Sequence, residues 1–199
     1  MPATLLLDQN YNSFTRMKTA GFLLGYAFIW LLTLLPLRIL YMLSDFLFFL
    51  MFHVTGYRKK VVKDNLRHAF PEKPPTEIND LSKRFFRHFC DFLIESAKTI
   101  HLSKKEINKR FRYVNAEIFQ KYYDAGKSVV LVLGHYANWE WVANCTSVIE
   151  HKPFAIYKPL RNKMYDELIR SVRTKWQMGT VPMNNVIRVI LQKEREKTK

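Results

Sequence analysis

His135 and Glu140 are the two residues whose types and spacing suit acid–base chemistry. They stand as an H-x4-E pair inside KSVVLVLGHYANWEW, Lys127 to Trp141. An imidazole titrates near neutral pH, so it can accept a proton from a substrate and give it back. A nearby carboxylate can orient the ring and stabilise its charged form, which makes His135 a candidate general base and Glu140 its partner. Tyr136 and Asn138 lie between them and could line the same site, although packing and capping account for those two equally well. The pair alone is a common accident of sequence; what singles it out is where it falls.

The pair follows five apolar residues, Val129 to Leu133, of the kind that fills a strand buried on both faces. Gly134 then lets the chain turn, and Asn138 is placed to cap a helix from Trp139 to about Ile149, with Glu140 in its first turn. The carboxyl end of a buried strand is where open α/β sheets place their chemistry. Upstream, Thr76 caps a long amphipathic helix with apolar residues at Ile78, Leu81, Phe85, Phe89, Phe92 and Leu93. Ser103 and Glu106 form a capping box, Phe111–Val114 reads as a short strand, and Asn115 opens a helix that Gly126 closes. Downstream, Phe154–Tyr157 and Thr180–Pro182 read as strands. Lys163–Trp176 and a segment capped by Asn185 read as helices. Strands alternating with helices predict an α/β fold, a mostly parallel sheet flanked by helices.

Thirty-two Lys and Arg against 17 Asp and Glu give a net charge of +15, so the partners are anionic. The two cysteines, Cys90 and Cys145, have no metal-ligand spacing and read as small core residues of a reduced compartment. No Walker A, G-x-G-x-x-G or C-x-x-C pattern is present. Residues 1–18 read as irregular and polar. Thr19 to Leu37 carries no charge and approaches the roughly 20 residues that cross a hydrocarbon core, which predicts a transmembrane helix. Ile39 to Phe52 is shorter and contains Asp45, which suits an interfacial helix. Residues 1–57 therefore read as a membrane anchor and 58–199 as the catalytic domain. Arg58, Lys59, Lys60, Lys63 and Arg67 follow the apolar segments as a basic collar for lipid headgroups on the cytoplasmic side. No aromatic residues interleave that cluster to stack on bases, so the expected partner is membrane lipid and not nucleic acid.

Taken together, the apolar N-terminus with LPLRILYMLSDFLF, then VVKDNLRHAFPE, FFRHFCDFLIES, GHYANWEW and YKPLRN resemble the lipid A biosynthesis acyltransferases. These are the late lauroyl/myristoyl transferases of Gram-negative bacteria, and the likeness covers nearly all of residues 20–199. The resemblance implies transfer of a fatty acyl chain from acyl carrier protein to a hydroxyl of an anionic glycolipid, the lipid A precursor. The reaction takes place at the cytoplasmic face of the inner membrane, without a metal or other cofactor. It gives His135 the role of general base and Glu140 that of the orienting carboxylate. Lys158, where the family often has Arg, and Arg161 would hold the lipid's phosphates or polarise the thioester oxygen. The plainer reading of both is solvated loop cations, and Asn162 reads instead as a helix cap. Family members usually continue with further strands and an Asp-Gln segment, so the resemblance also implies a domain incomplete at its C-terminus. Two rivals fit the same residues: a lysophospholipid or glycerol-phosphate acyltransferase, and a basic membrane-surface binding protein with an inactive site.

Overall fold

The computed structural model describes residues 21–196. The expected irregular segment 1–18 and the first residues of the predicted span, Thr19 and Ala20, lie outside the described residues. The chain divides into two compact units, 1–101 and 102–199.

The first unit is helical. Helix α1, Gly21–Leu32, covers only part of the uncharged run. A turn follows at residues 33–36, where Pro36 precedes helix α2, Leu37–Phe49. Helix α2 continues as a π-helical turn, Leu50–Thr55, which Gly56 ends in a left-handed conformation at φ +59°. The break in the uncharged run is therefore at residues 33–36. Among the described residues, the helix long and apolar enough to cross a membrane, by length and composition, is Leu37–Thr55. Proline at residue 36 removes the amide that a continuous helix would need. Helix α3 spans Lys59–Ala69, and α4 runs from Pro75 to Lys98 with proline in its first turn. Thr76 is therefore inside α4 and does not cap it.

The unit's core is the cluster Phe48, Phe52, Phe86 and Cys90, flanked by Leu47, Met51 and Val62. Residues Ile78, Ser82, Phe86 and Cys90, four apart, form the buried stripe of α4. Two of them, Ser82 and Cys90, are small. The predicted apolar face is displaced as a result, and Phe85 and Leu93 stay exposed. Burial pushes the Cys90 thiol up to about 11.

The second unit holds helices α5, Lys104–Arg110, and α6, Glu117–Asp124. A 3₁₀ segment, Trp139–Ser147, precedes strand β1, Phe154–Tyr157. Helix α7, Lys163–Thr174, crosses to strand β2, Gly179–Pro182, and α8, Val186–Arg195, follows. The strands pair in parallel with Phe154 opposite Gly179 and Tyr157 opposite Pro182. The parallel arrangement and both downstream strands agree with the sequence. So does the capping box, in which Ser103 Oγ accepts from the Glu106 amide at 3.2 Å. The sheet itself is smaller than predicted, with two strands among the described residues. Phe111–Val114 and Val129–Leu133 form no strand, and Val130 and Val132 are 86% and 87% exposed. An apolar run makes a strand only when another backbone meets its amides and carbonyls, and β1 pairs with β2 alone.

Candidate active site

The stretch from Asn138 to Thr146 is the anchored part of the motif. Trp141, Ala143, Asn144 and Cys145 are buried. Asn144 Nδ2 donates to Asn108 Oδ1 on α5 at 2.7 Å, and Tyr113 Oη donates to the Val142 carbonyl at 2.9 Å. Burial pushes the Tyr113 hydroxyl's pKa up, so it stays a donor across the working pH range. The Thr146 hydroxyl donates to the Trp176 carbonyl. The segment is therefore tied to helix α5, to Tyr113 and to the turn that follows α7.

Asn138 is buried, but its side chain caps nothing; the turn is closed by the Trp141 amide on the Asn138 carbonyl at 3.1 Å. Just before it, Ala137 has φ +49°, a left-handed conformation that a residue with a Cβ adopts at a cost. That kink separates the exposed residues of the motif from its buried ones. His135 and Tyr136 stand on the exposed side.

His135 packs edge-on against Trp139, with ring centroids 4.5 Å apart and planes at 65°. Trp139 also has the Arg173 guanidinium near its ring, 5.9 Å from the centroid. Arg173 in turn clamps Glu140: Nε donates to Oε2 at 2.8 Å and Nη2 to Oε1 at 2.6 Å. The two side chains are only 19% and 17% exposed. This fork-to-fork geometry is the strong form of a charge-assisted bond, and it raises the pKa of Arg173 further. No hydrogen bond joins His135 to Glu140. What the structure brings together is His135, Trp139, Arg173 and Glu140, with the indole ring near both the imidazole and the guanidinium.

Arg173 is the residue that sequence reasoning missed. It sits on α7 among the polar positions of an amphipathic helix, where an arginine reads as a solvated cation. The only signal available was that the lone carboxylate of the motif, if buried, needs a cation within reach.

Lys158 and Arg161 lie on the loop between β1 and α7, past the carboxyl end of the strand, and both are exposed. Neither makes an ion pair among the described residues. Asp166 shapes this loop by accepting from the Leu160 amide at 2.7 Å. Asn162 caps α7, with Oδ1 accepting from the Met164 and Tyr165 amides at 3.0 and 3.4 Å. Among the described residues, no three His, Cys, Asp or Glu side chains come together as metal ligands.

An exposed imidazole and an ion-paired, largely covered carboxylate share this one short segment, and two exposed cations lie on the loop after β1. The profile of the bacterial lipid A biosynthesis acyltransferases matches residues 8–198. The chain belongs to that family. A lipid A biosynthesis acyltransferase of Haemophilus influenzae is 22% identical over 168 residues, covering 82% of this chain and 52% of the relative. The chain thus spans about half the length of the curated relative it matches. No solved structure matches it.

Proposed function

We propose that this protein is a membrane-associated acyltransferase of lipid A biosynthesis. It moves a fatty acyl chain from an acyl carrier protein thioester to a hydroxyl of the lipid A precursor, on the cytoplasmic side of the bacterial inner membrane. Family membership supports the reaction class, and the observation that carries the site assignment is an exposed His135 held edge-on by Trp139.

A hydroxyl attacks a thioester slowly until a base takes its proton. In this reading His135 accepts the hydroxyl proton as the oxygen bonds to the thioester carbonyl carbon. The tetrahedral intermediate collapses with breakage of the C–S bond. The imidazolium returns the proton to the departing sulfur, leaving an ester and a free carrier thiol. No covalent enzyme intermediate is needed.

Glu140 acts in this account through its charge. Both of its oxygens are held by Arg173, so its position is fixed before substrate arrives and needs no rearrangement during the reaction. Lys158 and Arg161 hold the acceptor's phosphates as point charge and fork respectively. Tyr136, exposed beside His135, lines the approach, whereas Asn138 is inside the turn and serves the backbone.

The test offers the protein, as its gene encodes it, an acyl carrier protein thioester with lipid A precursor or lysophosphatidic acid as acceptor. Preference for the precursor is expected. Replacing Lys158 and Arg161 together by Gln should raise the KM for the precursor while leaving membrane association unchanged. Preference for lysophosphatidic acid, or indifference to both substitutions, would refute the acceptor assignment.

A further inference from the structure

Helix α2 has two unlike long faces. One carries Leu37, Leu40, Ser44 and Phe48, all buried. The other carries Ile39, Met42, Phe46 and Phe49, spaced three and four apart and all exposed, Met42 to 71%. Arg38 and Asp45, also exposed, flank that apolar stripe. Helix α1 beside it in sequence exposes Leu23, Leu24, Phe28 and Leu31 as well.

The buried face is laid along α4, antiparallel to it, and each successive turn of α2 meets a charged residue of α4. Lys98 Nζ donates to the carbonyls of Thr33 and Leu35 at 2.7 and 2.9 Å, at the head of α2. One turn further, Tyr41 Oη donates to Glu95 at 2.6 Å. Ser44 Oγ donates to Asp91 at 2.7 Å, and the Arg87 guanidinium sits 4.9 Å from the Phe48 ring centroid. These four α4 residues form a ladder of charge over most of the length of α2.

We propose that α2 lies in the plane of an anionic bilayer, one leaflet deep, and does not cross it. The Ile39–Met42–Phe46–Phe49 stripe enters the acyl chains, and the charged ladder of α4 stays on the aqueous side. A crossing α2 would carry Asp91 and Arg87 of α4 through the hydrocarbon together with its own Asp45. Groups of that kind are costly at membrane depth unless paired with opposite charge or water. In the plane, Arg38 and Asp45 reach the headgroups and the apolar stripe alone is immersed. The occupant is an anionic leaflet because the chain's net charge is +15 and Arg58, Lys60 and Arg67, all exposed, follow directly after α2. This inference rests on the membrane association proposed above and adds its geometry.

The test places single cysteines at three exposed polar positions, Arg38→Cys, Asp45→Cys and Lys60→Cys, in the full chain. The native Cys90 and Cys145 are buried and do not compete. A membrane-impermeant maleimide is applied to sealed inner-membrane vesicles of each orientation, without detergent. All three positions should react from the same side and to the same extent. Reaction of the residue-38 variant only from the side opposite the residue-60 variant would overturn the in-plane placement. So would reaction of the residue-45 variant only after detergent. Recovery of the protein as a soluble monomer or dimer, with the stripe buried between copies, would instead overturn the membrane reading itself.

Discussion

Removing Arg173 should cost the second unit more than any other single surface or half-buried substitution there. The Glu140–Arg173 pair is bidentate, at 2.6 and 2.8 Å, and about four-fifths of each side chain is out of water. Truncating one partner of a fully buried pair costs roughly 3–5 kcal/mol, because the other charge is left without compensation. Residual solvent at both side chains lowers that figure, so Arg173→Met should cost about 2–4 kcal/mol. Glu140→Gln should cost a similar amount by stranding the guanidinium. Arg173→Lys keeps the charge but not the fork, and should recover about half. The double variant, with neither charge present, should be less damaging than the sum of the two singles by ~2 kcal/mol. Urea unfolding followed by tryptophan fluorescence reads this well, since Trp139, Trp141 and Trp176 all belong to this unit. Additivity of the two single substitutions to within about 0.5 kcal/mol would refute the reasoning, because independent sites behave in that way.

Ala137→Gly should stabilise the turn by roughly 0.5–1 kcal/mol, since φ +49° is free for glycine and strained for alanine; a thermal melt checks the sign. The same variant should lower turnover if the strained turn holds His135 in place, and unchanged kcat would show that it does not. The Cys90 thiol, raised to about 11, favours the folded state fully below the ordinary cysteine range. That contribution is lost as pH climbs from about 8.5 toward 11. The stability difference between wild type and Cys90→Ala should therefore shrink by ~2–3 kcal/mol over that window, and a pH-independent difference in denaturant midpoints would contradict it.

Local signals in the sequence were read correctly where one residue decides the outcome. Ser103 and Asn162 accept the amides that their positions suggested, and Gly126, at φ +70°, follows the end of α6. The two short strands around α7 were legible because each is brief, apolar and bounded by turn residues. The failures come from long-range partners. Val129–Leu133 has the composition of a central strand, but composition does not supply the neighbouring backbone that would make it one. The predicted span ended wrongly because hydropathy outweighed Pro36, and the polar anchor at Lys98, far along the chain, was invisible to a local reading. The apolar face of α4 was displaced because Ser82 and Cys90, small and unassuming in sequence, belong to its buried stripe. That His135 and Glu140 share one short segment was legible from their spacing. Their relation was not, because Glu140 answers to Arg173 on a helix that the spacing rule does not include.

The most direct test of the central claim is acyl transfer by His135→Ala, in the protein as its gene encodes it and purified in detergent. Radiolabelled acyl carrier protein thioester and lipid A precursor are the substrates. His135 is exposed and its ring packs edge-on against Trp139, so the variant should melt within a few degrees of wild type. Its turnover should fall by roughly 10²–10⁴, the usual contribution of a general base. A folded His135→Ala protein that transfers the acyl chain at close to the wild-type rate would contradict the account.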